Sequence, residues 1–319
     1  MDGLGELAEK LADPDQILQM HNREVEAYRF MTEYAAQPPI PIPRLYYCRP
    51  VTPQQPVGFL VLEDLSQGTG HAEMLRCLSS GQVDSLLQML AALQAYGITH
   101  PQQCQQHLQY LDVRFFEQFI FGMEAAVQFI RDTFPGHLTL TDDQLKTIKT
   151  LAVRTLEMQT NPETSGTMTA VCYGDLQANN LLWKKEGGGD GGLSDTLAAA
   201  IDLQTIRRGL IAEDVSYVLF FYVRPPDRAQ QEESLIRSYY DRLTTLSAPT
   251  PVPFTELQFR KCYDRMLASH FVLQLWFVHI FAGTLKTDDR FNRFLLEQVK
   301  GNVDYFKDTH YISKFADNQ

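Results

Sequence analysis

Tyr173-Gly174-Asp175-Leu176-Gln177-Ala178-Asn179-Asn180-Leu181-Leu182-Trp183 carries the densest chemistry in the chain, together with Ala200-Ile201-Asp202-Leu203-Gln204 beyond a glycine-rich turn. Asp175 follows the short apolar run Thr169-Ala170-Val171-Cys172, and Asn180 opens another, Leu181-Leu182-Trp183. The run from Glu186 to Asp195, both included, holds five glycines and two aspartates, a strong turn signal. Leu197 to Leu203 is apolar again except for Asp202. Two apolar runs around such a turn predict a β-hairpin. Antiparallel pairing sets Asn180, at the start of one strand, beside Asp202, at the end of the other, with Asp175 on the loop leading in. Two oxygen donors side by side suit Mg²⁺, which takes one or two protein oxygens and completes its octahedron with phosphates and water. A single Asp beside glycine is usually a turn residue. The full set of Asp, Asn, hairpin and second Asp is more specific.

The order and spacing match the catalytic loop of protein kinases. From Tyr173 to Trp183 and from Ile201 to Gln204, the chain resembles the CHK kinase-like group, which includes ecdysteroid 22-kinase-like proteins and is related to choline kinases and aminoglycoside phosphotransferases. Asn22 to Tyr28 resembles that group's C-helix, Gly58 to Leu65 its adenine-holding strand and hinge, and Gly209 to Val215 the segment after its metal-binding Asp. The resemblance implies an α+β, protein-kinase-like fold with a mainly helical C-lobe. It implies ATP as donor, a small-molecule alcohol as acceptor and Mg²⁺ as the metal. Asp175 would orient or deprotonate the acceptor hydroxyl, and Asn180 and Asp202 would bind Mg²⁺. Glu24 would be the helix glutamate that pairs with a nucleotide-binding lysine. The backbone of Glu63, Asp64 and Leu65 would meet the adenine edge, and Asp214 would fix the catalytic loop.

Three features depart from the pattern. Tyr173 stands where the group usually has His, and Gln177 where it usually has Trp. A kinase fold also covers the phosphates with a glycine-rich loop and contacts them with a strand lysine. Both should precede Glu24. The first twenty-three residues read as helix or loop, with a stripe of Leu4, Leu7 and Leu11, and Lys10 is the only lysine among them. The expectation is a truncated small N-lobe over residues 1–64, with a C-helix, two strands and a hinge, and a helical C-lobe over 65–319. Catalysis would then be weak or absent, leaving a non-catalytic pseudokinase that binds a ligand or partner as the other reading.

With 319 residues, 44% hydrophobic and 21% charged, the chain can build a sizeable core. The net charge of -11 comes with no basic cluster, which argues against nucleic acid. Five scattered cysteines without a Cys-x-x-Cys pair predict reduced thiols in the cytoplasm. No signal peptide is read at the N-terminus. The apolar stretch Phe271 to Gly283 is read as too short to cross a bilayer, and its aromatics as core or as the lining of a lipophilic acceptor pocket. Helical stripes run through Val83 to Leu93, Phe115 to Ile120, Leu145 to Leu156, Ser216 to Val223, Gln231 to Leu246, Thr255 to Ala282 and Arg290 to Tyr305. Gly187 to Gly192 fits G-x-G-x-x-G but lacks its βαβ context and reads as a hairpin tip. His100, Cys104 and His107 lie in a Gln-rich stretch that reads as a solvated loop rather than a zinc site.

Overall fold

The computed structural model describes residues 14–33, 38–73, 76–110, 120–162, 168–187, 192–284 and 289–316. The stripes at Leu4 to Leu11 and Phe115 to Phe119 lie outside the described residues. Helix α1 (Pro14–Glu33) begins on a proline, whose missing N–H is harmless in a first turn. Val25, Tyr28, Phe30 and Met31 are buried along it. Asn22 takes both backbone groups of Val51. Its Nδ2 donates to the carbonyl at 3.0 Å, and its Oδ1 accepts the N–H at 2.7 Å. These bonds fasten α1 to the end of a two-stranded antiparallel sheet, β1 (Leu45–Arg49) and β2 (Phe59–Leu62).

After strand β3 (Thr69–His71) the described residues form the helices α2 (Ser80–Thr99), α3 (Pro101–His107), α4 (Met123–Thr133) and α5 (Asp142–Thr160). The Gln-rich run expected as a loop is therefore the helix α3, with Cys104 buried and the His100 ring stacked 4.2 Å from that of Tyr96. Its proline-led start and burial of one side hold it helical against a weak sequence pattern. β4 (Thr169–Cys172), β5 (Leu181–Lys185), β6 (Leu193–Ala200) and β7 (Arg207–Leu210) follow. They form two small sheets: β3-β5-β6, and β4 paired with β7. Leu181 opposes Ala200, so the expected hairpin is formed.

The remainder is helical: α6 (Glu213–Tyr222), α7 (Pro225–Ser247), α8 (Glu256–Val278), α9 (Asp289–Asp308) and the short α10 (Ser313–Ala316). α2, α5 and α8 each start on a capping box, in which Ser79, Thr141 or Thr255 exchanges hydrogen bonds with the glutamine three residues on. α8 continues through the wider π-helical turns His279–Thr284. Glu256–Gly283, which contains the stretch Phe271 to Gly283, is long and apolar enough to cross a membrane by length and composition only. More than half of its apolar stretch is buried inside the protein, and Phe259, Leu267, Phe271 and Leu275 belong to the central core.

A buried polar network ties three of these helices together. Arg228 on α7 is fully buried and donates to Asn302 Oδ1 on α9 at 2.8 Å. Asn302 in turn donates to Gln274 Oε1 on α8 at 2.9 Å. The guanidinium lies 4.3 Å from the Tyr305 ring centroid. Removing one partner of a buried charge strands the other. Asn302→Leu is therefore expected to lower unfolding free energy by about 3 kcal/mol in urea denaturation. Adding Arg228→Met should recover part of that loss.

Candidate active site

The loop after β4 is held through several of its backbone groups. Asp214, 2% exposed at the start of α6, accepts the N–H of Tyr173 at 2.6 Å and that of Gly174 at 2.9 Å. Thr205 Oγ1 donates to the Tyr173 carbonyl at 3.0 Å. The Tyr222 hydroxyl donates to the carbonyl of Leu176. Gly174 has φ +87°, and a Cβ there would sit 1.9 Å from an Arg207 guanidinium nitrogen and 2.7 Å from the Thr205 carbonyl. Only glycine meets both demands. Tyr173 is fully buried and its hydroxyl donates to the Ile201 carbonyl, so it braces the loop against the strand leading to Asp202.

Asp175 and Asn180 are joined directly. Asn180 Nδ2 lies 3.1 Å from both the carbonyl and the Oδ2 of Asp175. Its Oδ1 accepts from Asn179 at 3.1 Å. The Ile201 N–H donates to the Asn180 carbonyl at 2.9 Å, which sets Asn180 and Asp202 at the same end of the β5–β6 hairpin. Asp202 adopts the left-handed conformation, φ 61° and ψ 62°. Asp tolerates that region better than most residues, and such strain clusters at functional sites.

Glu24 on α1 faces the turn that follows Asp202, and the Leu203 backbone there partly offsets the upward push on its carboxyl. No lysine among the described residues acts on it. The charges here are crowded. Burial, then repulsion from Asp202, pushes the Asp175 carboxyl up to about 6. Burial and Asp202 likewise raise Glu24, and burial raises Asp202 itself. Burial and the neighbouring Glu213 push Asp214 up to about 6, against the pull of its two N–H donors and Arg207.

The hinge residues stand apart from this group. Glu63 and Asp64 are exposed; the Glu63 N–H donates to the Arg44 carbonyl at 2.9 Å, and Asp64 Oδ1 accepts the Ser66 N–H at 2.9 Å. The Leu65 carbonyl accepts from Thr69 Oγ1. The structure thus brings Asp175, Asn180, Asp202 and Glu24 together, while the exposed carboxylates of Glu63 and Asp64 take the backbone N–H groups of Arg44 and Ser66. Sequence reasoning missed Tyr28 and Tyr217. Both bury a hydroxyl without a hydrogen-bond partner among the described residues, and a carboxylate of the site acts on each. Their signal was an apolar helical face carrying a phenol at a core position.

Residues 8–303 match DUF1679, a family described as "Uncharacterized oxidoreductase dhs-27". The chain belongs to the DUF1679 family. It is 24% identical over 291 residues to "Uncharacterized oxidoreductase dhs-27" of Caenorhabditis elegans, covering 88% of this chain and 34% of that protein. It is also 24% identical over 219 residues to "Uncharacterized kinase-like protein D1044.1" of the same organism, covering 68% of this chain and 55% of that one. The chain therefore spans about a third and about half of these curated relatives' lengths. Among solved structures it resembles a Ralstonia eutropha protein assigned as an aminoglycoside phosphotransferase. The TM-score is 0.52 at 11% identity, over 91% of this chain and 84% of the other. The fold is α+β and kinase-like, as the motifs implied. The glycine run at 187–192 joins two antiparallel strands, not the strand-to-helix turn of a dinucleotide site.

The raised carboxyls fix a sign. Asp175 titrates near 6 when folded and near 4 when unfolded. Its contribution to stability is full below about pH 4 and lost as pH rises through 6. Without divalent ions, Asp202→Asn should stabilise the protein at pH 7.5 by about 1 kcal/mol, because it removes one of the repelling charges. The gain should shrink at pH 5. Urea midpoints in chelator at both pH values measure it, and equal midpoints for both proteins at pH 7.5 would refute the charge-crowding account.

Proposed function

We propose that this chain is a kinase-like phosphotransferase that moves the γ-phosphoryl group of ATP to the hydroxyl of a small-molecule alcohol. The observation that carries the reading is the direct Asn180–Asp175 bond at 3.1 Å, at the same hairpin end that bears Asp202. In this reading Asp175 takes the proton of the acceptor hydroxyl. A carboxyl titrating near 6 is poised for that at neutral pH. The oxygens of Asn180 and Asp202 fit Mg²⁺: both are hard donors, and the half-buried Asp202 carboxylate has no cationic side chain against it among the described residues. When bound, Mg²⁺ neutralises charge on the phosphates as the phosphoryl group moves. Glu24 and the Glu63, Asp64 and Leu65 backbone belong to the nucleotide side of the cleft. The lobes divide at residues 1–64 and 65–319.

An aromatic series runs from Tyr217 through Phe221, Phe277 and Phe281 to Phe291, with ring centroids 4.5 to 6.0 Å apart. It supports an apolar acceptor. Five free cysteines support a reducing, cytoplasmic setting. One observation favours a second reading. No lysine among the described residues acts on Glu24, as expected of a pseudokinase that binds nucleotide or partner without turnover.

Thermal denaturation with Mg²⁺ and ATP tests the nucleotide site. A ligand at a hundred times its Kd stabilises by about 2.7 kcal/mol. The midpoint should rise with Mg·ATP, lose the rise in Asp202→Ala, and fall back as pH drops below 6. No shift at millimolar Mg·ATP would refute the phosphotransferase reading.

A further inference from the structure

β2, Phe59-Leu60-Val61-Leu62, pairs with β1 on one side and with no other strand among the described residues. The Glu63 N–H donates to the Arg44 carbonyl, on the β1 side. Backbone groups alternate along an antiparallel ladder, so those of Leu60 and Leu62 face the opposite, open edge. Proteins usually blunt such an edge with lysine, proline or a bulge. β2 has no lysine and no proline, and the irregularity of this pair falls in β1, between Leu45 and Tyr47. An isolated two-stranded sheet is marginal in water, and further strands steady it.

The outer face of this sheet is apolar and open. Tyr47 and Phe59 stack with ring centroids 5.5 Å apart, and Val61 lies opposite Tyr47. With Tyr46 and Val57 they make up five of the eleven large hydrophobic side chains exposed among the described residues, which concentrates exposed apolar surface here. Charge stands at the two ends of β2. Arg49 lies over the Phe59 ring at 4.6 Å and donates from Nε to the Val57 carbonyl at 2.9 Å. Glu63, exposed, follows the other end on the same face by alternation. Its Oε2 accepts the Arg44 N–H at 3.2 Å, and a carboxylate so engaged still has room for a guanidinium.

We propose that the occupant of this edge is β2 of a second copy of the chain, set antiparallel about a two-fold axis through Val61. In that register Leu60 of one copy faces Leu62 of the other, and the two exchange N–H and carbonyl groups. Phe59 faces Glu63 of the second copy, which brings that carboxylate to the Arg49 guanidinium lying over Phe59. Symmetry makes this contact twice. β2 itself carries no charge, so two chains of net charge -11 meet along it without like charges opposed. The result is a continuous four-stranded sheet, β1-β2-β2-β1. Both copies use the same edge, so the contact closes at two. β2 runs directly into Glu63, Asp64 and Leu65, so pairing also fixes that segment. The dimer does not depend on the phosphotransferase reading.

Sedimentation equilibrium of the whole chain in reductant should give the dimer mass at micromolar concentration. Val61→Lys sets two ammonium groups face to face on the axis and should raise the dimer Kd by about tenfold or more, with an unchanged far-UV circular dichroism spectrum. Glu63→Arg and Arg49→Glu should each weaken the dimer, and the two together should restore it. Val61→Cys should form a covalent dimer on mild oxidation that the wild-type chain does not form. The Cα atoms of such a non-hydrogen-bonded pair lie about 4.5 Å apart, within disulfide reach. A wild-type chain that stays monomeric across the concentration range overturns the proposal. So does a dimer that survives Val61→Lys, or a Val61→Cys chain that cross-links no more than wild type.

Discussion

The Asp214 carboxylate accepting two consecutive backbone N–H groups, those of Tyr173 and Gly174, is the contact on which the site depends. A buried carboxylate is costly unless its oxygens are paired. Here both oxygens are, and the loop in return has a fixed entry. Gly174 can then turn through a positive φ, which no side chain would allow so close to Arg207 and Thr205. Asp175 emerges from that turn in one orientation. Arg207, itself paired with the buried Glu213, closes the arrangement from below. Loosening Asp214 would free Asp175 without touching any residue that meets substrate.

The second organising feature is uncompensated charge. Asp202 repels both Asp175 and Glu24 in a partly dry setting, and burial drives all three carboxyls upward. A fold selected for stability alone would replace one of them with an amide. Groups pushed from their ordinary range by burial and by a like charge mark sites that bind cations or move protons. The left-handed backbone at Asp202 adds local strain to the same place.

Much of this was legible in the sequence because it rests on local rules. The β5–β6 hairpin follows from apolar runs around glycines, and the buried faces of α2, α5 and α9 follow from helical periodicity. The convergence of Asp175, Asn180 and Asp202 follows from strand register. Other features were hidden because they depend on distant partners. β7 reads Arg207-Arg208-Gly209-Leu210, which looks unlike a strand until β4 pairs with it and Glu213 neutralises Arg207. β3 has three residues and no apolar pattern; its existence depends on β5. α3 was mistaken for a loop because glutamines conceal the single buried Cys104. The orphan hydroxyls of Tyr28 and Tyr217 cannot be read from spacing, since a partner's absence is a property of the packed structure.

A crystal structure with Mn²⁺ in place of Mg²⁺ and a non-hydrolysable ATP analogue tests the central claim most directly, because manganese is located by its anomalous scattering. The account predicts a peak about 2.1 Å from an oxygen of Asp202 and from Asn180 Oδ1, with Asp175 facing the γ-phosphate and not bound to the ion. A metal bound elsewhere, or a nucleotide lying away from the mouth of the β5–β6 hairpin, would contradict it.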